Sequence, residues 1–240
     1  MFEKRRYMNN KILTYCDLGF IDYKEAWELQ QEIHSKRVTG EVEDTFFLLE
    51  HPNTYTLGKT AHKENLVGSE EYLKANRISV YDIDRGGDIT FHGPGQIVGY
   101  PIIDLNKWYK DTHKYLRALE ELIIKTCNDY DLSCERNAKH TGVWIGDRKI
   151  AAIGIKVSRW VTMHGFAFNI NTDLKLFNGI IPCGIQDKSV TSLSKELNKA
   201  ISIPEVKERI LNNFSHVFNY NKVIIKQREE VLQTSFTTTY

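Results

Sequence analysis

Cys183 stands in Ile180-Ile-Pro-Cys-Gly-Ile-Gln, between a residue whose φ is fixed and one that lacks a Cβ. Such a turn holds a thiol rigidly and leaves its approach path open, which is what a nucleophile needs. A thiol near its reference pKa of ~8.5 is mostly protonated at neutral pH, so catalysis requires a cation or a helix N-terminus to stabilise the thiolate. The competing reading is an inert thiol, because free cysteine is among the most buried residue types. Cys16 in a strand and Cys127 on an apolar helix face fit that second reading, and Cys134 falls in a loop. Lys149 is the best candidate cation. Period-two alternation puts it on the face of Ala151, Ile153, Ile155 and Val157, where an ammonium needs a reason. Its place beside a hairpin turn weakens that anomaly, and on local sequence alone a solvated strand end is the reading to prefer. His92 and His164 could act as acid-base groups or donate to a substrate carbonyl. The local signatures of cysteine hydrolases are absent.

Arg85-Gly-Gly-Asp-Ile-Thr-Phe-His-Gly-Pro-Gly-Gln-Ile-Val-Gly-Tyr-Pro101 holds five of the 15 glycines and two of the 5 prolines. Glycine in this density marks positive φ or close approach of a ligand to the backbone. Interleaved Arg85, His92 and Gln96 add side-chain hydrogen bonding, so the segment reads as one wall of a binding site. It lacks the phosphate-loop spacing and the Gly-x-Gly-x-x-Gly pattern, which leaves nucleotide binding without a motif. Gly154 and Gly165 inside strand patterns suggest close approach of another backbone or a ligand, and a bulge would explain them equally.

The elements that must position these residues follow from pattern. Strands are expected at Ile12 to Leu18, Thr45 to Leu49, Tyr55 to Leu57 (prolonging the same sheet), Ile78 to Ile83 and Met163 to Asn171. Val143-Trp-Ile and Lys149 to Val157 flank a Gly146-Asp147 hairpin turn. A helix capped by Asp22 and Glu25 shows Tyr23, Trp27, Gln30, Ile33 and Arg37 on related faces and ends near Gly40. Another, capped by Ser69, covers Glu70 to Asn76. The longest helix runs from Thr112 to Asp131 behind Asp111, with Tyr115, Leu119, Leu122, Ile123, Thr126 and Cys127 at helical spacing. Further helices are expected over Lys188 to Leu197 and from Pro204 to Val217, before a loosely ordered tail from Gln233. Hairpin-linked strands with few intervening helices imply an α/β (α+β) fold, a mixed sheet flanked by helices.

With 240 residues, 41% hydrophobic and 26% charged, the chain can bury a substantial core. No linker, repeat or low-complexity run divides it, so one domain over 1–240 is expected, with about 220–240 as a C-terminal extension. A net charge of +1 argues against nucleic acid or membrane surfaces as partners. Neither a signal peptide nor a span of ~20 apolar residues is evident, which places the protein in the cytoplasm. The four cysteines have no metal-ligand spacing and are too sparse for a disulfide framework, so free thiols are expected.

Together, Arg85 to Leu105, Arg148-Lys-Ile-Ala-Ala-Ile-Gly-Ile-Lys-Val, Met163-His-Gly-Phe-Ala-Phe-Asn-Ile-Asn and Ile181-Pro-Cys-Gly-Ile resemble the octanoyltransferases of lipoate biosynthesis. The likeness runs from about Ile12 to Asn198; Asp88 departs from the family, where glutamine or a similar polar residue is more usual. It implies a biotin/lipoate protein ligase-like fold and a two-step transfer without a cofactor or metal. Cys183 would take the octanoyl group from octanoyl-acyl carrier protein as a thioester, and a specific lysine of a lipoyl domain would receive it as an amide. Such acceptors belong to 2-oxoacid dehydrogenase acyltransferase subunits and to the glycine cleavage H protein. Lys149 would lower the pKa of Cys183. Arg85, Gly86, Gly87, Asp88, Ile89, Thr90, Phe91 and His92, with Ala152, Ile153, Gly154, Gly165, Phe166 and Ala167, would line the acyl pocket. A monomer is the default expectation. The rival on the same fold is an ATP-dependent lipoate or biotin ligase, which needs no nucleophilic cysteine.

Overall fold

The computed structural model describes residues 11–181 and 189–236. The chain opens with β1 (Ile12–Phe20), α1 (Tyr23–Thr39) and β2 (Asp44–Glu50). It continues through β3 (Thr54–Leu57), α2 (Glu70–Ala75), β4 (Ser79–Asp82) and β5 (Ile89–His92). Next come β6 (Gln96–Ile102), α3 (Thr112–Asn128), β7 (Glu135–Arg136), β8 (Val143–Ile145), β9 (Arg148–Ser158) and β10 (Val161–Asn169). β11 (Ser189–Val190), α4 (Leu193–Leu197), α5 (Ile203–Phe218), β12 (Lys222–Ile225) and α6 (Arg228–Phe236) complete the described residues.

Among the described residues nine strands form one mixed sheet in the order β12-β1-β2-β6-β10-β9-β8-β7, with β11 added in parallel to β9. β1 is parallel to β2 and β12, whereas β2, β6, β10, β9 and β8 pair antiparallel in turn. On β2, Phe46 and Leu48 point to one face and Phe47 and Leu49 to the other. α3 and α5 cover the first face; α1 and α6 cover the second. Burial on both sides explains why β2 reads as a continuous apolar run, not as alternation.

A separate three-stranded sheet, β4-β3-β5, stands beside the large one. This corrects the expectation that Tyr55 to Leu57 prolongs the first sheet: Pro52 has no N–H to continue the β2 ladder, and β3 pairs with β4 and β5. Capping follows the sequence reading closely. Asp22 accepts from Lys24 N, Ser69 from Tyr72 N and Asp111 from Lys114 N. α3 stops three residues before Asp131, which adopts a left-handed φ of 56° while Tyr130 N and Leu132 N fold back onto Cys127 O. Its expected inner face is buried throughout. The inner face of α1 differs in part, with Ala26, Leu29 and His34 buried where Trp27 and Ile33 were expected.

The expected helix over Lys188 to Leu197 is also corrected. Lys188 lies outside the described residues, Ser189–Val190 is a strand, and the helix is only Leu193–Leu197, capped by Ser192. The C-terminal region is integral to the sheet. β12 pairs with β1, Val231 of α6 is buried, and Tyr220 Oη donates to Asp44 Oδ2 at 2.7 Å. The tail expected to be loose from Gln233 is helical as far as Phe236.

Candidate active site

Strands β6, β10 and β9 lay the floor of a cleft of about 810 Å³. Val98 pairs with Ala167, and Ala167 with Ala152; two residues along Gln96 pairs with Asn169, and two residues the other way Gly165 pairs with Gly154. Because alternate residues share a face, small side chains cluster there and leave room for a ligand. Gly86 to Thr90 and His92 form a side of the same cleft. All the expected pocket residues border it except Phe91. The ring of Phe91 turns the other way along β5 and packs on Tyr55 and Phe177, with centroids 5.9 and 5.2 Å apart.

Lys149 reaches the cleft through an irregularity that alternation does not foresee. Trp144 of β8 faces Lys149 and Val143 faces Ala151, leaving Ile150 as an extra residue on β9. Such a bulge resets the pleat. Ile150 and Ala151 both enter the core, while Lys149 lines the cleft on the side of Ala152. Lys149 is therefore not on the face of Ala151, Ile153, Ile155 and Val157 as alternation predicted. It is nevertheless 8% exposed, with Nζ 4.7 Å from the Trp144 ring centroid. The solvated reading fails.

Arg85 braces the glycine wall. Its guanidinium donates to Thr56 O at 2.8 Å, Thr56 Oγ1 at 3.0 Å and Gly86 O at 3.1 Å. The wall also needs Gly58, which sequence reasoning missed: a Cβ there would stand 2.2 Å from Gly87 O. The glycine directly after β3 was the available signal. At Gly154 a Cβ would meet Arg85 Cδ and Gly86 O at 3.0 Å, and at Gly165 it would meet Gly99 O at 2.3 Å. Both glycines therefore serve the approach of protein backbone.

Asp88 links the wall to the chain that leads to Cys183. Its Oδ2 accepts from Asn65 Nδ2 at 2.6 Å and its Oδ1 from Ile89 N at 2.7 Å, while Asn65 O accepts from Ile181 N at 2.8 Å. Cys183 itself lies outside the described residues. On its far side, Ser189 and Val190 pair with Arg148 and Lys149, and Val190 borders the cleft.

His92 and His164 are hydrogen-bonded members of the wall. Burial pushes His92 well below the ordinary histidine value, aided by the charges of His51 and Arg85. Its Nδ1 donates to Gln96 Oε1 at 2.9 Å. His164, at φ 56°, takes its place where β10 parts from β6. Gln30 Oε1 accepts from its backbone N, and its Nε2 donates to Asp84 at 2.9 Å. Burial lowers the His164 pKa, and this bond together with Lys156 holds the Asp84 carboxyl well below its ordinary range. Among the described residues no three His, Cys, Asp or Glu side chains gather as metal ligands would, and no helix is long and apolar enough to cross a membrane.

This cleft and fold can be set beside known proteins. The family model of the lipoyl protein ligase A/B catalytic domain matches residues 22–215. An octanoyltransferase of Christiangramia forsetii is 49% identical over 226 residues, 87% of this chain and 97% of that one. An octanoyltransferase of Solibacter usitatus is 48% identical over 203 residues, 85% of this chain and 91% of the relative. Among solved structures, lipoate-protein ligase A bound with ATP superposes with a TM-score of 0.74 at 15% identity, over 96% of each chain. A putative lipoate protein ligase from T. acidophilum with bound lipoic acid gives 0.72 at 15% identity, over 95% of each. The structural likeness establishes the fold.

Proposed function

The chain belongs to the lipoyl protein ligase A/B catalytic domain family, among its octanoyltransferases, and from that premise we propose a transfer that runs through an acyl-enzyme. Octanoyl-acyl carrier protein is the donor and a lysine of a lipoyl domain is the acceptor. The Cys183 thiolate attacks the donor's thioester carbonyl, and collapse of the tetrahedral adduct expels the carrier thiolate, which takes a proton from Lys149. The acceptor's ε-amine then attacks the Cys183 thioester, gives its surplus proton back to Lys149, and leaves an amide and a free Cys183 thiolate. Atoms, charge and protons balance without ATP. Cytoplasmic placement and a monomer complete the reading.

The observation that carries it is the placement of Lys149. It is buried in a cleft floored by Ala152, Gly154 and Ala167, on the strand to which the first described residues after Cys183 are hydrogen-bonded. An eight-carbon chain laid on such a floor gains ~0.8 kcal/mol per buried methylene, and backbone amides of a glycine-rich wall suit a developing oxyanion. The test is intact-protein mass after incubation with octanoyl-acyl carrier protein in ATP-free buffer. One added octanoyl group is expected on the wild type and none on Cys183→Ala. An absolute requirement for ATP would instead assign the chain the adenylate chemistry of a ligase.

A further inference from the structure

A single directional chain of buried hydrogen bonds runs along the edge of the cleft, and the transfer as proposed above gives it no task. Its polarity can be read from groups with only one choice. Asn169 Nδ2 donates to Thr191 O at 2.9 Å, so its Oδ1 is the acceptor for Gln96 Nε2 at 2.9 Å. Gln96 Nε2 also donates to Phe91 O at 3.0 Å, which leaves Oε1 to accept from His92 Nδ1 at 2.9 Å. His92 Nε2 is then an acceptor, and Thr56 Oγ1 lies 3.4 Å away as its donor. Asn169 is 3% exposed and Gln96 1%. Polar groups buried this deeply fix a unique arrangement only when every member is satisfied, as these are.

The end of the chain lies on the backbone of Lys149. Thr191 N donates to Lys149 O at 2.9 Å, and Thr191 Oγ1 donates to Glu196 Oε1 at 2.5 Å. Glu196 in turn receives a two-pronged bond from Arg148 at 2.8 and 2.9 Å. All three polar groups of Thr191 are thus engaged: its N on the Lys149 carbonyl, its Oγ1 on the partner of Arg148, and its O on Asn169. We propose that Asn169, with Gln96 and His92 behind it, is a positioning residue: through Thr191 it locks the strand after Cys183 onto β9 and so fixes Lys149 for the transfer. The assignment rests on the acyl-Cys183 reading.

The experiment uses two near-isosteric variants of the full chain. Asn169→Asp removes the donor to Thr191 O, and Gln96→Glu removes the donor to Asn169 two links from Lys149. Each is assayed for kcat and KM of octanoyl transfer, for the iodoacetamide alkylation rate of Cys183 at pH 7, and for its unfolding midpoint. The expected result is a fall of at least tenfold in kcat and in alkylation rate, with KM for the donor within twofold of wild type. A folded variant that keeps both rates within twofold overturns the proposal. So does a raised KM with kcat retained, which would make these groups substrate contacts, and so does failure of both variants to fold, which would make the chain purely structural. Absence of an octanoyl adduct on wild-type Cys183 overturns the transfer reading instead, and the alkylation rates still judge the positioning role.

Discussion

At the scale of single residues, burial sets most of the chemistry. Lys149 is the strongest case, because an ammonium enclosed beside Trp144 can favour an anion only if the anion is close. Lys149→Ala is expected to raise the apparent thiol pKa of Cys183 toward the free value of ~8.5 and to slow its alkylation at pH 7 by tenfold or more. An unchanged profile of alkylation against pH would remove Lys149 from the mechanism. His51 supplies a different prediction. Its Nδ1 donates to Ile21 O and its Nε2 accepts from Tyr100 Oη, both at 2.8 Å, and burial lowers its pKa to about 4. A folded pKa below the unfolded value of ~6.5 means stability that is present above pH 6.5 and lost as pH falls toward 4, about 3 kcal/mol in all. His92 and His164, also lowered by burial, act in the same direction. Urea unfolding at pH 7 and pH 5 should therefore show a larger loss in the wild type than in His51→Asn; equal losses would contradict the assignment.

At the scale of elements, the glycine wall is held by packing between β3, β9 and the turn after β4. Gly58→Ala places a Cβ against the backbone of Gly87, which cannot rotate away as a flexible side chain would. A cost of ~1–3 kcal/mol is expected, with a larger proportional loss of transfer because the wall that moves is the wall of the cleft. A wild-type unfolding midpoint together with a wild-type rate would refute this. The same elements show what the sequence made legible. Caps at Asp22, Ser69 and Asp111, the Gly146-Asp147 hairpin and the inner face of α3 are local signals, each carried by residues a few positions apart in the chain. The side on which Lys149 lies was not legible, because it depends on one unpaired residue, Ile150, whose presence shows only when β8 and β9 are aligned. The membership of β3 in a second sheet and the pairing of β11 with β9 are equally non-local. Of the site, the glycine segment and the floor residues were legible from composition and motif, whereas Gly58, Asn169 and Thr191 act through contacts distant in sequence.

At the scale of the whole molecule, a buried ion pair ties α1 to the start of β2 and to the segments that follow β6 and precede β12. Arg37 Nε donates to Asp44 Oδ1 at 2.7 Å, and that same carboxylate accepts from Asp104 N at 2.9 Å and from Tyr220 Oη at 2.7 Å. Asp44→Ala leaves a buried guanidinium beside a single more distant carboxylate, Asp104 at 3.6 Å, and is expected to destabilise by ~3–5 kcal/mol in urea unfolding. A loss under 1 kcal/mol would show that the pair is dispensable. Ending the chain at Asn219 should lower the unfolding midpoint as well, since it removes β12, α6 and the Tyr220 bond. The partnership of β1 with β12 also bears on how the protein is made. Ile12 is aligned with Lys222, so during synthesis the first strand leaves the ribosome long before its outer neighbour exists. β1 can pair with β2 at once, yet its other edge stays open until the last strand emerges. Closure of the sheet is then a late, long-range event, of the kind that slows folding and invites chaperone binding to the waiting edge.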